Sequence, residues 1–568
     1  MLSIRVLIKK INVFIMISIL LSAAGFASYA SAAEIKAVPL NPRFIEWQKK
    51  IDTQRTSGSG KTSSGYFNED ITQGYIPSPI NWSHLDNVLY SVDSKKDNNR
   101  QGSTLPTSYD LRPEMPAVRN QGDFGTCWTF ASMAATESNL IHDKKILTKD
   151  NADLSEWYLA YYGYNEESAE LPPFTFDDSD GTKYYSAGGN DWNSTALMSR
   201  GTGAIDETLA KYPLTEEDVY KPAVTTRKYK LKNALYLGNE EGLEPKITKA
   251  RRDVIKESIM EYGAVSIAIL AGYDSAGYLN KDTGAYHTDG GEANHAVAIV
   301  GWIDDYSMFK FGKYQPSSNG AWIVRNSWGA GWKGSKEGYC YVSYEEQSLR
   351  YGVTFDTELA PDSNKEKIYQ YDPLGLCEFI IYGSANPIYF ANIFRAERKE
   401  MINSVSFYTS YPNTPYTVKI YADCGENPVG GKLVAEKSLT IVAPGYNTVD
   451  LDSEVEIAKY SRFSVVVSYK LSDTASPTKC PQIPIEKPIK DYSEKATASA
   501  GQSFISSNGT AWDDLTKVSG YENANVCIKA FGTSDNLPDG GSGCSTGPGM
   551  IILVTLAAIP LILTRKKR

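Results

Sequence analysis

The sequence predicts an α+β region followed by an all-β sandwich. An apolar run at helical spacing follows Cys127, and a strand-like apolar run extends from His295 to Trp302. Beyond residue 360 the pattern changes to short alternating runs separated by Pro, Gly and Asn turns, with no helical pattern among them. The 568 residues are enough for two or three domains, each with a core of its own.

Composition and charge exclude several classes of protein. The formal net charge of −9, with no long basic block inside the chain, argues against a nucleic-acid partner. Seven cysteines are too few for a disulfide scaffold of this length. Because no Cys or His spacing resembles a zinc site, we expect neither a metal ion nor a cofactor.

The N-terminal residues have the pattern of a secretory leader. Residues 1–32 carry a basic start, an apolar run from Val13 to Phe26 and the small residues Ala30-Ser31-Ala32, which predicts a cleaved signal peptide. The alternative is an N-terminal membrane anchor. Residues 33–104 are polar, and Gly74 to His84 should lie extended because prolines disfavour a helix there.

Cys127 has the surroundings of a nucleophile. It follows glycines in Gln121-Gly-Asp-Phe-Gly-Thr-Cys-Trp128 and precedes the helical run, so it should open a buried helix. The N–H groups and dipole of a helix N-terminus lower a thiol pKa. A lone cysteine is more often simply buried, so the assignment depends on the residues that bracket it.

These residues resemble the active-site segment of papain-like cysteine peptidases. Two downstream segments also resemble that family, Asn294-His-Ala-Val-Ala-Ile-Val-Gly-Trp302 and Trp322-Ile-Val-Arg-Asn-Ser-Trp-Gly329. The resemblance implies that Cys127 is the nucleophile and His295 the general base. It also implies that Asn326 orients the imidazole and that Gln121 is an oxyanion-hole donor. It also implies a substrate-binding site that includes Gly188, Gly189 and Trp328, with the tryptophan shielding the His–Asn hydrogen bond from water.

The resemblance covers residues 105–358 and implies a helical and a β-sheet subdomain with the cleft between them. Asp191, Ala293 and Ala296 match cleft-lining positions of the family. The family usually has a disulfide where this chain has Phe124 and Ser186, so packing by Phe124 should replace the bond. Cys340 reads as a buried strand cysteine, and a Cys424–Cys480 pair is one open possibility.

Residues 365–533 resemble the lectin-like domain that follows some prokaryotic papain-like peptidases. That likeness concerns the fold, and sugar binding does not follow from it. Trp512 could stack on a sugar, although a place in the sandwich core is the commoner role. Since no catalytic motif lies here, we expect that deleting residues 361–533 leaves cleavage of short peptides largely intact.

The C-terminal residues resemble a bacterial sorting tail of the Synerg-CTERM kind. Residues 534–549 read as a Gly/Ser linker, and residues 550–568 combine a short apolar run with a basic end. The run is short for a membrane span, and the basic end would place the enzyme outside.

The sequence therefore predicts a secreted cysteine endopeptidase attached to the cell surface, with residues 33–104 as an inhibitory pro-region. The alternative for that region is a plain extension packed on the catalytic domain. Expected partners are protein or peptide substrates, cell-surface glycans through the sandwich, and the membrane or envelope through the tail. Two other functions stay open: an amidase or transpeptidase acting on cell-wall peptides, and a surface adhesin that uses the peptidase fold as a scaffold.

Overall fold

The computed structural model describes residues 34–57 and 74–534, apart from short gaps at 86–87, 89, 93–104, 169, 177, 179–181, 224–225, 239–247, 273–276, 289, 362–364 and 473–479. The predicted signal peptide and the predicted tail at 550–568 lie outside the described residues, as does the linker apart from Ser534. Among the described helices, none combines the length and the apolar character that a membrane span needs.

Five α-helices lie in the described part of the chain: α1 (Pro42–Ser57), α2 (Cys127–His142), α3 (Glu156–Tyr164), α4 (Asp191–Arg200) and α5 (Lys249–Tyr262). Side-chain caps fix where α3 and α4 begin, the two helices next to the site. Ser155 caps α3 by accepting the N–H of Tyr158, and Asn190 forms a capping box with Asn193 at the start of α4. Helix α2 is buried along almost its whole length, as its apolar run predicts.

The strands that precede residue 360 are β1 (Ile35–Ala37), β2 (Ser108–Asp110), β3 (Tyr229–Tyr236), β4 (Val265–Ile269), β5 (Leu279–Asn280), β6 (Ala285–Tyr286), β7 (His295–Ile303), β8 (Ala321–Arg325), β9 (Tyr339–Ser343) and β10 (Arg350–Leu359). Strands β10, β4, β7, β8 and β9 are neighbours in one sheet, and α2 packs on β7 and β10. Cys340 is fully buried in β9, as predicted.

The strands after residue 360 are β11 (Glu366–Tyr369), β12 (Glu378–Tyr382), β13 (Ile388–Arg395), β14 (Glu400–Thr409), β15 (Thr414–Ala422), β16 (Lys432–Ile441), β17 (Gly445–Ile457), β18 (Arg462–Tyr469), β19 (Gln482–Glu486), β20 (Ser503–Ser506), β21 (Asp513–Asp514), β22 (Asn525–Val526) and β23 (Ile528–Thr533). The layer β11-β23-β14-β17 and the sheet β16-β15-β18-β13-β20-β21 form the predicted all-β sandwich. Phe407 of the first packs on Phe390 and Tyr416 of the second.

The sandwich shows the position of Trp512 and the state of two cysteines, both of which the sequence left open. Trp512 is half-buried and packs against Ile393, Cys424 and Phe504, which agrees with the commoner core role. Cys424 and Cys480 are both free, so the open possibility of a disulfide between them is not realised.

One sheet runs through both regions of the chain. Strand β3 pairs with β10 on one side and with β17 of the sandwich on the other, where Gly445 lies opposite Leu235 and Tyr446 opposite Ala234. The ring of Trp192, on α4, also lies 6.2 Å from that of Tyr408 on β14. Deleting residues 361–533 would expose this buried surface. That the truncated chain still cleaves short peptides stays a prediction.

The residues before Leu105 contact both regions. We call the described part of residues 34–92 the N-terminal segment. Its strand β1 pairs with β12 of the sandwich region, and its residues Gly74 to Ile76 are extended against Gly189 and Asn294. Gly74 to Ile76 therefore follow the predicted extended course, whereas the predicted stretch to His84 ends in a short 3-10 helix at Ser83–Leu85.

Candidate active site

The loop before Cys127 is held by packing and hydrogen bonds. Phe124 is buried with its ring 4.9 Å from that of Tyr185, and Gly125 N–H donates to the Tyr185 carbonyl at 2.9 Å. These contacts tie the loop to the turn that ends at Ser186. Packing at Phe124 thus takes the place that the family's disulfide would occupy, as the sequence predicts.

Cys127 is the first residue of α2 and is fully buried. The preceding residue, Thr126, makes no side-chain cap, so it leaves the first N–H groups of the helix uncapped. The sulfur accepts a hydrogen bond from the backbone N–H of Ala296 at 3.3 Å. Because Ala296 directly follows His295, this bond brings the thiol beside the start of β7.

His295 is oriented by its neighbours. Its Nε2 lies 2.8 Å from Oδ1 of Asn326, and this oxygen also accepts the N–H of Ser327 at 2.7 Å. An amide oxygen can only accept, so the proton of a neutral imidazole sits on Nε2 and leaves Nδ1 as the basic nitrogen. No hydrogen bond to Nδ1 is formed within the described residues.

Trp328 covers the imidazole. Its ring stacks on that of His295 at 5.0 Å between centroids, with 29° between the planes. The backbone around it is fixed, since Gln121 N–H donates to the Ser327 carbonyl and Gly329 N–H to the Arg119 carbonyl, each at 2.8 Å. These bonds connect the loop before Cys127 to the loop that carries Asn326.

Burial sets the charge state of this site. It raises the pKa of the Cys127 thiol to about 12, an effect opposed by the N–H groups of Ala296 and Trp128 and reinforced by the nearby Asp191 carboxylate. It lowers the pKa of His295 to about 4, an effect that Asn326 opposes. With the cleft covered, the neutral thiol and imidazole are therefore favoured over the thiolate–imidazolium pair.

Gln121 is buried close to these groups. Its side-chain Nε2 donates to the Phe124 carbonyl at 2.9 Å, and its Oε1 accepts from the hydroxyl of Ser327 at 2.6 Å. Both bonds fix the amide at the loop that leads to Cys127. Its role as an oxyanion-hole donor stays a prediction.

Gly188 and Gly189 lie where the N-terminal segment crosses. Ile76 N–H donates to the Gly189 carbonyl at 2.9 Å, and Gly189 N–H donates to the Gly74 carbonyl at 3.0 Å. A β-carbon on Gly188 would come within 2.9 Å of Ile76, and one on Gly189 within 2.6 Å of the Trp128 ring. Gly188 thus needs glycine for the close approach of an extended chain, and Gly189 needs it for the packing of Trp128.

Asp191 is the first residue of α4 and is buried next to the thiol. Its Oδ1 accepts from Ser266 at 2.6 Å and from Ser132 at 3.4 Å, and burial raises its pKa to about 7. Ala296 is buried and Ala293 is half-buried; both pack in the core cluster that contains Cys127.

Sequence reasoning missed Tyr212. Its hydroxyl contacts the hydroxyl of Thr126 and donates to the Gln121 carbonyl at 3.0 Å, so one side chain ties both ends of the loop before Cys127. A tyrosine in a loop with no motif around it gives no signal of such a contact.

Comparisons with known proteins match both regions. Residues 105–355 match the papain family of cysteine proteases, and residues 368–532 match a lectin-like domain. The chain is 28% identical to cathepsin K of Mus musculus over 273 residues, which are 47% of this chain and 66% of that protein. It is 30% identical to ananain of Ananas comosus over 237 residues, which are 40% of this chain and 54% of that protein. The chain thus spans less than two thirds of either relative.

Solved structures match over a longer stretch. The fold is similar to the crystal structure of the cysteine protease and lectin-like domains of Cwp84, a surface layer associated protein of Clostridium difficile, with a TM-score of 0.69 and 23% identity over 89% of this chain and 100% of that one. A Cwp84 variant after propeptide cleavage gives a TM-score of 0.61 and 24% identity over 75% of this chain and 99% of that one. At this identity the likeness shows the fold, while the family matches support a cysteine-type peptidase, a hydrolase. The chain therefore has a papain-like peptidase domain over residues 105–355, followed by a lectin-like all-β domain over residues 368–532.

Proposed function

We propose that this chain is a secreted, cell-surface-attached cysteine endopeptidase that hydrolyses peptide bonds through Cys127, His295 and Asn326. The observation that carries the proposal is the meeting of three elements. The thiol at the start of α2 bonds to Ala296 at the start of β7, next to an imidazole that Asn326 orients.

The chemistry follows from these positions. The Cys127 thiolate attacks the carbonyl carbon of the peptide, and His295 gives its proton to the leaving amine, so a thioester remains on the sulfur. A water molecule then loses a proton to His295 and attacks the thioester, which releases the acid and restores the thiol. Gln121 would stabilise the developing oxyanion, a contribution of about 2.7–4 kcal/mol per donor.

The proposal includes residues 33–104 as an inhibitory pro-region. The Gly74 carbonyl accepts the N–H of Gly189, and the Ile76 N–H donates to the Gly189 carbonyl. These two groups of Gly189 are the ones that an extended substrate would need. Tyr75 N–H also donates to the carbonyl of Asn294, the residue before His295, at 3.3 Å. A substrate backbone cannot make these bonds while the segment is bound.

Secretion and surface attachment rest on the predicted signal peptide and tail. They also gain support from the similar fold of Cwp84, which is itself described as a surface layer associated protein. For the lectin-like domain, glycan binding remains a proposal of the same kind.

Hydrolysis of a short peptide by the processed enzyme tests the function. Cys127→Ala should abolish turnover without loss of folding. The matched control is Cys480→Ala, which removes a half-buried free cysteine of the lectin-like domain and should keep wild-type turnover. Retained hydrolysis in purified Cys127→Ala enzyme would rule out the proposed mechanism.

A further inference from the structure

The cleft-blocking residues are flanked along the chain by contacts with the lectin-like domain. Gly74 to Ile76 lie between α1, which packs on that domain, and His84, which bonds to it. Among the bonds described for them, backbone hydrogen bonds join them to Gly189 and Asn294 in the cleft.

Strand β1 extends a sheet of the lectin-like domain. Ile35 lies opposite Tyr382 and Ala37 opposite Ile380 in an antiparallel pair. Val38 N–H donates to the Phe379 carbonyl at 2.9 Å just beyond this pair. Without β1, strand β12 would be an edge with unpaired backbone groups, and such an edge readily binds an extended chain.

Helix α1 adds side-chain contacts to the same domain. Phe44 is fully buried and meets the ring of Tyr492 edge-on at 5.9 Å. At the surface, Asp52 pairs with Lys490 at 2.7 Å, and the Gln48 amide donates to the Lys490 carbonyl at 2.8 Å.

The residues after the cleft return to the lectin-like domain. The His84 ring donates to the Ser410 carbonyl at 2.7 Å and lies 4.8 Å from the ring of Tyr411. Trp82 is almost fully buried, stacked on Tyr236 of β3 at 4.6 Å and edge-on to Phe379 of β12 at 5.3 Å. The segment is thus anchored on both sides of Gly74 to Ile76.

We infer that the lectin-like domain is the receptor for the N-terminal segment, and that this protein–protein contact holds Gly74 to Ile76 in the cleft. The β12 edge, Lys490, Tyr492 and Ser410 form the receptor surface. The inference rests on the proposed function, because latency has a meaning only for an active peptidase. It gives the domain a role in binding polypeptide that needs no sugar.

A proline in β1 tests the inference in the secreted precursor. Val38 N–H points at β12, and alternate residues of a strand point the same way, so Lys36 N–H faces β12 as well. Lys36→Pro removes that donor, while the Lys36 side chain is 63% exposed and carries little packing. The control Lys36→Ala removes the side chain and keeps the N–H.

The readout is the rate at which a thiol-directed peptidyl epoxide labels the precursor. We expect Lys36→Pro precursor to react about tenfold faster than wild type, a change of about 1.4 kcal/mol in the binding of the segment. Lys36→Ala precursor should react at the wild-type rate. Enzyme processed near Leu105 loses residue 36, so all three should then react alike.

A charge swap tests the lectin-like side directly. Asp52→Lys and Lys490→Asp each place like charges together and should each speed labelling by about two- to fivefold, as expected for an exposed pair. The double variant restores the pair and should return to the wild-type rate.

Two outcomes separate the inference from the proposed function. If every variant precursor reacts at the wild-type precursor rate while the processed enzyme reacts fast, the lectin-like domain is not the receptor. If the processed wild-type enzyme itself fails to react with the epoxide, the proposed function fails and the inference falls with it.

Discussion

Removing the hydroxyl of Tyr212 should lower catalysis without disturbing the core. The hydroxyl contacts Thr126, directly before the nucleophile, and donates to the carbonyl of Gln121 at 3.0 Å. The ring packs edge-on against Phe130 at 4.9 Å. Tyr212→Phe keeps this ring contact and deletes both hydrogen bonds.

The expected size follows from these two bonds. Each neutral hydrogen bond contributes about 0.5–1.5 kcal/mol, so the loop before Cys127 loses about 1–3 kcal/mol of restraint. No disulfide compensates, because Phe124 and Ser186 replace the family's cysteines. If about half of that energy fixes the reactive geometry, the barrier rises by about 0.5–1.5 kcal/mol and kcat falls about two- to twelvefold. KM should change little, since the hydroxyl lies behind the loop and makes no cleft contact among those described.

The assay is steady-state hydrolysis of a short peptide by the processed enzyme. Tyr220→Phe is the matched control, because its hydroxyl bonds only to the Lys211 carbonyl at 2.9 Å among the bonds described and its ring also lies near Trp157. We expect wild-type kcat for that control. A Tyr212→Phe enzyme with wild-type kcat would refute the reasoning and mean that the packing of Phe124 and the other hydrogen bonds of the loop restrain it sufficiently.

Three further predictions concern latency and pH. Gly74→Ala should speed epoxide labelling of the precursor, because φ is +106° at this residue and a β-carbon would lie 2.4 Å from the Gly125 backbone. Ser83→Ala, at an exposed position, is the control and should label at the wild-type rate. Equal labelling rates for the two variants would contradict the cleft contact of Gly74. Asp191→Asn keeps an acceptor for Ser266 but removes the charge that raises the pKa of Cys127. Alkylation of the processed enzyme should therefore begin at lower pH than in wild type or in the control Asp150→Asn, which changes an exposed carboxylate. An unchanged profile would mean that this charge does not act on the thiol. Latency should weaken in acid below the open-cleft pKa of Cys127. Covering the cleft raises the pKa of Cys127 and lowers that of His295 to about 4, so above that thiol pKa the proton lost by His295 is taken up by Cys127. Below it the open site holds one proton more than the covered site, and the segment loses affinity as pH falls from that pKa towards 4. A ratio of precursor to processed labelling rates that stays constant across that range would contradict this linkage.

Local patterns predicted the elements that carry the site. An apolar run at helical spacing after Cys127 places that residue at a helix start, and a β-strand run places His295 at a strand start. Periodicity does not show which helix and strand pack together at the site. The family motif around Asn326 indicated that Cys127 and His295 belong to one site. The replacement of a disulfide by Phe124 also followed from sequence, because its size and position permit only packing.

Pairing between distant strands left no such signal. Backbone hydrogen bonds pair β3 with β17 and β1 with β12. Their donors and acceptors are main-chain groups, which are the same for nearly all residue types. A strand of three residues such as Ile35–Ala37 has no readable period, so its place on the lectin-like domain could not be predicted. For the same reason, the sequence did not show that the lectin-like domain shares a sheet with the peptidase domain.

The most direct test of the account is to find which residue the peptidyl epoxide modifies in the processed wild-type enzyme. Peptide mass mapping after complete inactivation should give one adduct, on Cys127, in proportion to the loss of hydrolysis. The other cysteines among the described residues are free and mostly buried, so they serve as internal controls within the same molecule. Inactivation with the adduct on another residue, or full modification of Cys127 with hydrolysis intact, would contradict the assignment of Cys127 as the nucleophile.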